Sequence, residues 1–84
     1  MTNTTQKLTL DRMRRDIAAM LHEDDPSEVG DDDNLMLLGL DSMSAMTLIT
    51  RWQEAGVAVD FMDMAGATTL AGWWQLVDAA QARA

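Results

Sequence analysis

Apolar side chains recur at helical spacing in three stretches of this 84-residue sequence. The first stretch begins after Thr9, a residue type favoured at helix N-caps, and extends to about His22. Its apolar face is predicted to consist of Leu10, Met13, Ile17, Met20 and Leu21. A short apolar segment at 57–59 has the composition of a strand, but a lone strand without a partner is not stable. The pattern therefore predicts an all-α fold.

The second helix is predicted to start at Asp41, its N-cap, and to run to about Ala55, with Gly56 ending it in a left-handed conformation. Its inner face is expected to consist of Ala45, Leu48, Ile49 and Trp52. Met43 and Met46 then fall on the outer side, so two flexible apolar side chains are left near the surface.

Two further helices are predicted after residue 59. Asp60 is expected to cap a short helix from Phe61 to Ala65, closed by Gly66, and either Thr68 or Thr69 caps the last helix. The last helix has one apolar stripe, formed by Leu70, Trp73, Trp74 and Val77, with Ala80 at its edge. The expected architecture is a small four-helix bundle with a short third helix. Residues 1–8 are expected to be a disordered tail, and residues 9–82 a single domain.

The predicted connection between the first two helices is about 18 residues, which is longer than compact domains usually contain. It begins with carboxylates, in the stretch EDDPSEVGDDDN, and continues with several leucines. These leucines are expected to fold part of the loop onto the core; they are Leu35, Leu37, Leu38 and Leu40.

Charge and composition exclude several classes of protein. The sequence has no cysteine, so it forms neither disulfides nor thiolate zinc sites. Its net charge of −8 is unevenly spread, because residues 1–22 carry four basic and two acidic side chains and residues 23–84 carry two and twelve. Such a surface repels nucleic acids and anionic lipids, so neither is an expected partner. The polar start and the lack of a long apolar segment favour a cytoplasmic protein.

The sequence does not match the common patterns of a serine hydrolase or a calcium loop. His22, the only histidine, lies at the predicted end of the first helix, where a structural role is favoured over catalysis. Ser42 lacks the G-x-S-x-G pattern, because residue 40 is Leu and residue 44 is Ser. An EF-hand starting at Asp31 would need an oxygen ligand at 35, Gly at 36 and Glu at 42, where the sequence has Leu, Met and Ser. Neither a hydrolase nor a metal site is predicted.

Ser42 is the remaining candidate. It is expected in the first turn of the second helix, where backbone N–H groups and the positive end of the helix dipole favour a phosphate group. Serine is also common in the first turn of ordinary helices, so its position alone leaves a structural and a functional interpretation open.

The stretch DDNLMLLGLDSM, residues 32–43, resembles the phosphopantetheine attachment motif of carrier proteins, which has a G-x-D-S core before the second helix. The order of helix, long loop, helix, short helix and helix agrees with that family. The resemblance implies that a phosphopantetheinyl transferase esterifies Ser42 with 4′-phosphopantetheine taken from coenzyme A, with Asp41 as the matching aspartate. It also implies that the domain is not an enzyme but holds an acyl group as a thioester on a flexible arm.

Within that family the sequence is similar to aryl carrier proteins of siderophore assembly by nonribosomal peptide synthesis. No acid lies between Ser42 and Gln53, and the similar pairs are Arg51 with Trp52, Asp60 with Phe61, and Trp73 with Trp74. The similarity implies an aryl carrier for dihydroxybenzoate or salicylate. Many dihydroxybenzoate carriers are fused to an isochorismatase domain, which this sequence lacks, so a free-standing and monomeric carrier is expected. An aryl-acid adenylating enzyme would load it, and a condensation or cyclisation domain would receive the cargo.

By the same resemblance Met43, Met46 and Phe61 are expected to lie at partner surfaces. One alternative is a peptidyl or other acyl carrier. An alternative of another class is an unmodified acidic helical adaptor that docks a partner through Met43 and Met46.

Overall fold

The computed structural model describes residues 8–83, which contain four α-helices and no named strand. Helix α1 is Leu10–Met20, α2 is Ser42–Glu54, α3 is Phe61–Ala65 and α4 is Leu70–Arg83. A short 3₁₀ helix, Pro26–Glu28, lies in the long loop, and one isolated bridge joins Asn34 to Thr69. Helix α1 contacts α2 and α4, and α3 contacts the same two helices. The predicted all-α bundle is confirmed. Among the described residues, no helix is both long and apolar enough to cross a membrane.

A side-chain oxygen caps the start of every α-helix in residues 8–83. The capping residues are Thr9, Asp41, Asp60 and Thr69, and each accepts a hydrogen bond from a backbone N–H two or three residues later. For α4 the structure selects Thr69 between the two predicted candidates, since its Oγ1 accepts from the N–H of Gly72 at 3.0 Å. Each cap satisfies a donor that the helix itself leaves without a partner.

Two tryptophans join the helices at the centre of the bundle. The rings of Trp52 in α2 and Trp73 in α4 pack edge to face, with centroids 5.8 Å apart and an interplanar angle of 82°. The Trp73 indole N–H donates to the carbonyls of Met64, at 2.9 Å, and Ala67, at 3.0 Å. The Trp52 N–H donates to Asp16 of α1 at 2.9 Å. No buried side-chain nitrogen or oxygen in residues 8–83 lacks a partner, so the polar atoms of this core are satisfied.

The long loop packs through two of its four leucines, not all four. Leu35 and Leu40 are buried, but Leu37 is 85% exposed and Leu38 is 40% exposed, so the expectation for these two is wrong. The cause is a tight turn. Asn34 Oδ1 accepts from the N–H groups of Met36 and Leu37, and the N–H of Leu40 donates back to the carbonyl of Leu35 at 3.0 Å. The turn directs its two ends into the core and its middle residues outwards.

Ordered packing starts before the first helix. Leu8 is buried, and its N–H and carbonyl both bond the side chain of Gln81 in α4, at 2.6 and 2.9 Å. The tail was predicted for residues 1–8, of which 1–7 lie outside the described residues. Leu8 itself belongs to the packed structure.

Candidate functional site

Ser42 is the first residue of α2, and its side chain is exposed. The preceding Asp41 is the N-cap, and its Oδ1 accepts from the N–H of Ser44 at 2.8 Å. Hydrogen bonds from the backbone and side chain of Ser44 lower the pKa of the Asp41 carboxyl from its ordinary value. Asp41 is therefore an anion at neutral pH that is engaged with Ser44, and its bonds leave the Ser42 hydroxyl accessible.

The electrostatics at this helix start are compatible with a phosphate group. The first turn of α2 carries no acidic side chain, and the helix dipole places partial positive charge there. A phosphoester on Ser42 would gain from that dipole, and the capping carboxylate of Asp41 would oppose it. An exposed hydroxyl at a helix start therefore fits a covalently attached phosphate.

The loop before Ser42 has a defined shape. Gly39 has φ +113°, a left-handed conformation that residues with a Cβ rarely adopt, and Leu40 is 1% exposed. The buried Leu40 anchors the chain in the core immediately before the N-cap, and Gly39 allows the turn that brings it there. Together they hold Asp41 and Ser42 at the surface.

A small cavity lies beside Ser42. Its volume is about 100 Å³, and apart from Ser42 its lining side chains are apolar. The lining comes from the loop, α2, α3 and the start of α4: Met36, Ser42, Ala45, Ile49, Phe61, Ala65, Ala67 and Trp73. The cavity shows that the loop, α2 and α3 converge next to the candidate serine.

The large apolar side chains left exposed in residues 8–83 belong to the same three segments. They are Met36, Leu37 and Leu38 in the loop, Met43 and Met46 in α2, and Met62 in α3. We call these six residues the exposed apolar group. Met43 and Met46 are 79% and 51% exposed, in agreement with their predicted outer position on α2. Phe61, the third predicted partner residue, is half-buried and packs against the core.

Sequence reasoning missed Leu37 and Met62 as candidate contact residues. Met62, which is 75% exposed, lies on a five-residue helix that is too short for periodicity to reveal its outer face. Leu37 is predicted to be buried because it is apolar, but the apolar content of a loop does not show which of its side chains point towards the core. The one signal in the sequence that could have identified them is that Leu37 lies shortly before Ser42 and that Met62 follows Phe61.

The other candidate residues, His22 and Asp31, take part in contacts that stabilise the fold. His22 has φ 60° and occupies the left-handed position after α1, where its N–H donates to the Ala19 carbonyl. Asp31 pairs with Arg14, and its carbonyl accepts from the N–H of Ala71. Within the described residues, no three His, Cys, Asp or Glu side chains are grouped so that they could hold a metal ion.

The sequence matches the protein family described as "Phosphopantetheine attachment site" over residues 11–77. It is 45% identical over 74 residues to the acyl carrier protein ScoB of Streptomyces coeruleorubidus, covering 88% of this chain and 86% of ScoB. It is 35% identical to an isochorismatase of Bacillus subtilis, covering 89% of this chain but 24% of that protein. It is 48% identical over 46 residues to phenyloxazoline synthase MbtB of Mycobacterium tuberculosis, covering 55% of this chain and 3% of the synthase. No solved structure matches the chain significantly.

Two of these three relatives are much longer than the region they share with this chain, so their other parts have no counterpart in the matched residues. The family match, in contrast, spans all of the site described above, from α1 into α4. The chain belongs to the phosphopantetheine attachment site family, whose members are non-catalytic carrier proteins that bear 4′-phosphopantetheine on a serine.

Proposed function

We propose that this protein is an aryl carrier protein, and that Ser42 is the serine to which 4′-phosphopantetheine is attached. The chain has three serines, at positions 27, 42 and 44. Ser27 Oγ donates to Asp25 Oδ1 at 2.7 Å in the acidic loop, and the Ser44 side chain bonds Asp41. Ser42 combines an exposed side chain with the G-x-D-S motif and a helix start that favours phosphate. That combination is the observation that carries the proposal.

Transfer would form a bond between Ser42 Oγ and the phosphorus next to pantetheine in coenzyme A. The pyrophosphate bond breaks, the nucleotide half leaves, and the hydroxyl proton passes to the transferase. The attached group supplies a terminal thiol for thioester formation, which the cysteine-free chain lacks. The chain's own contribution is to expose Ser42, to order the helix start through Asp41, and to dock its partners.

The proposed cargo is an aryl acid, such as dihydroxybenzoate or salicylate. One relative is named for a phenyl-bearing oxazoline, and another is an isochorismatase, an enzyme to which many dihydroxybenzoate carriers are fused. The acid-free stretch from Ser42 to Gln53 also favours apolar docking over an electrostatic contact with basic partners. The proposed partners are a phosphopantetheinyl transferase, an aryl-acid adenylating enzyme and a condensation or cyclisation domain in siderophore biosynthesis.

We propose that these partners dock on the exposed apolar group, with Met43 and Met46 at its centre and Phe61 at its buried edge. Thioether side chains adapt to differently shaped surfaces, which suits a protein that must meet several enzymes in turn. Such contacts must be brief, because a carrier that stays bound to one enzyme cannot deliver to the next.

A second candidate is a carrier for another acyl or aminoacyl group. ScoB, which is named an acyl carrier protein, matches this chain over most of both lengths. The unmodified adaptor is disfavoured by the family match and would require a chain that accepts no phosphopantetheine. The cytoplasmic location, the monomeric state and the free-standing form stay predictions.

The test is modification of the purified apo chain by coenzyme A and a broad-specificity phosphopantetheinyl transferase, followed by intact mass measurement. We expect the mass of one phosphopantetheine on the natural chain and none on Ser42→Ala. Ser44→Ala and Ser27→Ala are matched controls and should still be modified. Modification of Ser42→Ala, or none of the natural chain, would contradict the assignment.

The cargo is tested on the modified chain. Adenylating enzymes for dihydroxybenzoate, for salicylate and for amino acids are each offered with their substrates and ATP, and the thioester is read by mass. We expect an aryl-acid enzyme to load the chain fastest. Preferred loading by an amino-acid enzyme would favour the peptidyl alternative.

A further inference from the structure

The methionines of residues 8–83 range from fully buried to largely exposed, with Met20 and Met36 between the two extremes. The sequence has eight methionines and no cysteine. Met13 and Met64 have no exposed surface, whereas Met43, Met46 and Met62 are among the most exposed large apolar side chains of residues 8–83. Thioether sulfur is readily oxidised by peroxide, and exposure governs which sulfurs react first.

The three most exposed methionines of residues 8–83 lie on α2, which begins with Ser42, and on α3. Met46 is one helical turn beyond Ser42, and Met43 is one turn before Met46 on the outer side of α2. The edge of α2 that carries Ser42 and Ile49 lines the cavity together with Phe61, the residue before Met62. The exposed methionines are thus carried by the two helices that converge next to Ser42.

We propose that Met43, Met46 and Met62 form a reversible oxidation site that controls docking at Ser42. The proposal rests on the function proposed above and adds its regulation. The sulfur of each thioether would attack one oxygen of hydrogen peroxide, the O–O bond breaks, and the other oxygen leaves as water after proton transfer. Sulfur is oxidised to the sulfoxide and peroxide is reduced. A thiol-dependent sulfoxide reductase reverses the step, because two thiols become a disulfide and the oxygen leaves as water.

Oxidation would change the surface without changing the fold. A sulfoxide is polar and accepts hydrogen bonds strongly, so burying it in an apolar interface is unfavourable unless a donor meets it. The exposed large apolar side chains of the stretch Ser42–Gln53 are Met43 and Met46, so a sulfoxide there would weaken apolar docking through it. Because Met13 and Met64 are inaccessible in the folded chain, the core is protected while the docking surface reacts.

The experiment uses the apo chain, in which no phosphopantetheine thiol competes for oxidant. It is treated with hydrogen peroxide and quenched with catalase, and peptide mapping assigns the added oxygen. A broad-specificity phosphopantetheinyl transferase and coenzyme A then measure the rate of modification. We expect oxygen first on Met43, Met46 and Met62, unchanged helicity by circular dichroism, and transfer slower by about tenfold. Methionine sulfoxide reductases for both epimers should restore the rate.

Two variants serve as controls. In a chain with Met43→Leu, Met46→Leu and Met62→Leu, which keeps side-chain volume, peroxide should not alter the rate relative to the same untreated variant. Met20→Leu, on α1, should remain as sensitive as the natural chain.

Three outcomes would overturn the proposal. One is oxidation of Met13 and Met64 as early as the exposed residues, and another is equal transfer rates for oxidised and untreated chains. The third is a loss of rate that persists in the triple leucine variant. If the untreated chain accepts no phosphopantetheine, the proposed function is refuted, and this proposal with it. If the oxidised and untreated chains are modified equally fast, only the proposed regulation is refuted.

Discussion

The interior around Trp52 and Trp73 differs from the surface around Ser42 in how it accommodates large apolar side chains. In the interior they are enclosed, and both indole N–H groups have acceptors. Around Ser42 six large apolar side chains are exposed, although the backbone that carries them is ordered by caps and turns. The difference indicates that the core supplies stability, while the Ser42 side retains apolar surface that a partner can cover.

The largest expected effect on stability comes from Trp73→Ala. Trp73 is 1% exposed and donates to two carbonyls near the end of α3, so its removal leaves a cavity and deprives the Ala67 carbonyl of its donor, while the Met64 carbonyl still accepts from the N–H of Ala67. We expect a loss of about 3–5 kcal/mol. The total free energy of unfolding of a domain of this length is about 4–13 kcal/mol, so at the lower end of this range the variant would be close to unfolding.

Urea unfolding followed by far-UV circular dichroism measures this loss. Trp73→Phe, which keeps an aromatic ring but no donor, should fall between the natural chain and Trp73→Ala. If Trp73→Ala cost less than about 1 kcal/mol, the interior would not be the source of stability.

A smaller effect is expected from Asp16→Ala. Asp16 Oδ2 accepts from the Trp52 N–H at 2.9 Å, and Oδ1 also pairs with Arg12 on the surface at 3.2 Å. Removing the carboxylate leaves the buried indole donor without its acceptor, at a cost of about 1–2 kcal/mol. Asp16→Asn should lose less, because the amide oxygen still accepts. Equal losses for the two variants in urea unfolding would assign the effect to the surface ion pair.

The smallest effect on stability is expected from Met46→Asp. Met46 is 51% exposed, so the free energy of unfolding should change by no more than about 0.5 kcal/mol. Acylation or delivery should nevertheless slow, because the new carboxylate would be buried against an apolar partner surface. Transfer kinetics with the transferase and an adenylating enzyme measure this, with Met46→Leu as the matched control. Normal rates with every partner would remove Met46 from the docking surface.

The helices and their caps could be predicted because their causes are local. Asp41 and Asp60 cap helices through N–H groups two or three residues away, and the inner face of α2 follows directly from its period. Gly56, with φ +105°, ends α2 as its position suggests. The position of Ser42 in the first turn of α2 follows from the same cap, because Asp41 immediately precedes it.

Contacts between residues distant in sequence could not be predicted. Asp16 accepts a hydrogen bond from Trp52, 36 residues away, and the Leu8 contact with Gln81 spans 73 residues. Leu37 was misassigned because its exposure depends on the direction of a turn. No periodic signal in the sequence encodes that direction.

Trp73 is an intrinsic fluorophore next to the candidate site. Trp73 lines the cavity beside Ser42, its ring packs on Trp52, and its N–H donates to the Met64 carbonyl of α3. A group that entered the cavity would displace water near this indole and alter its emission. Entry of a group tethered at Ser42 is therefore expected to change the tryptophan emission of the protein, to which Trp52 and Trp74 also contribute.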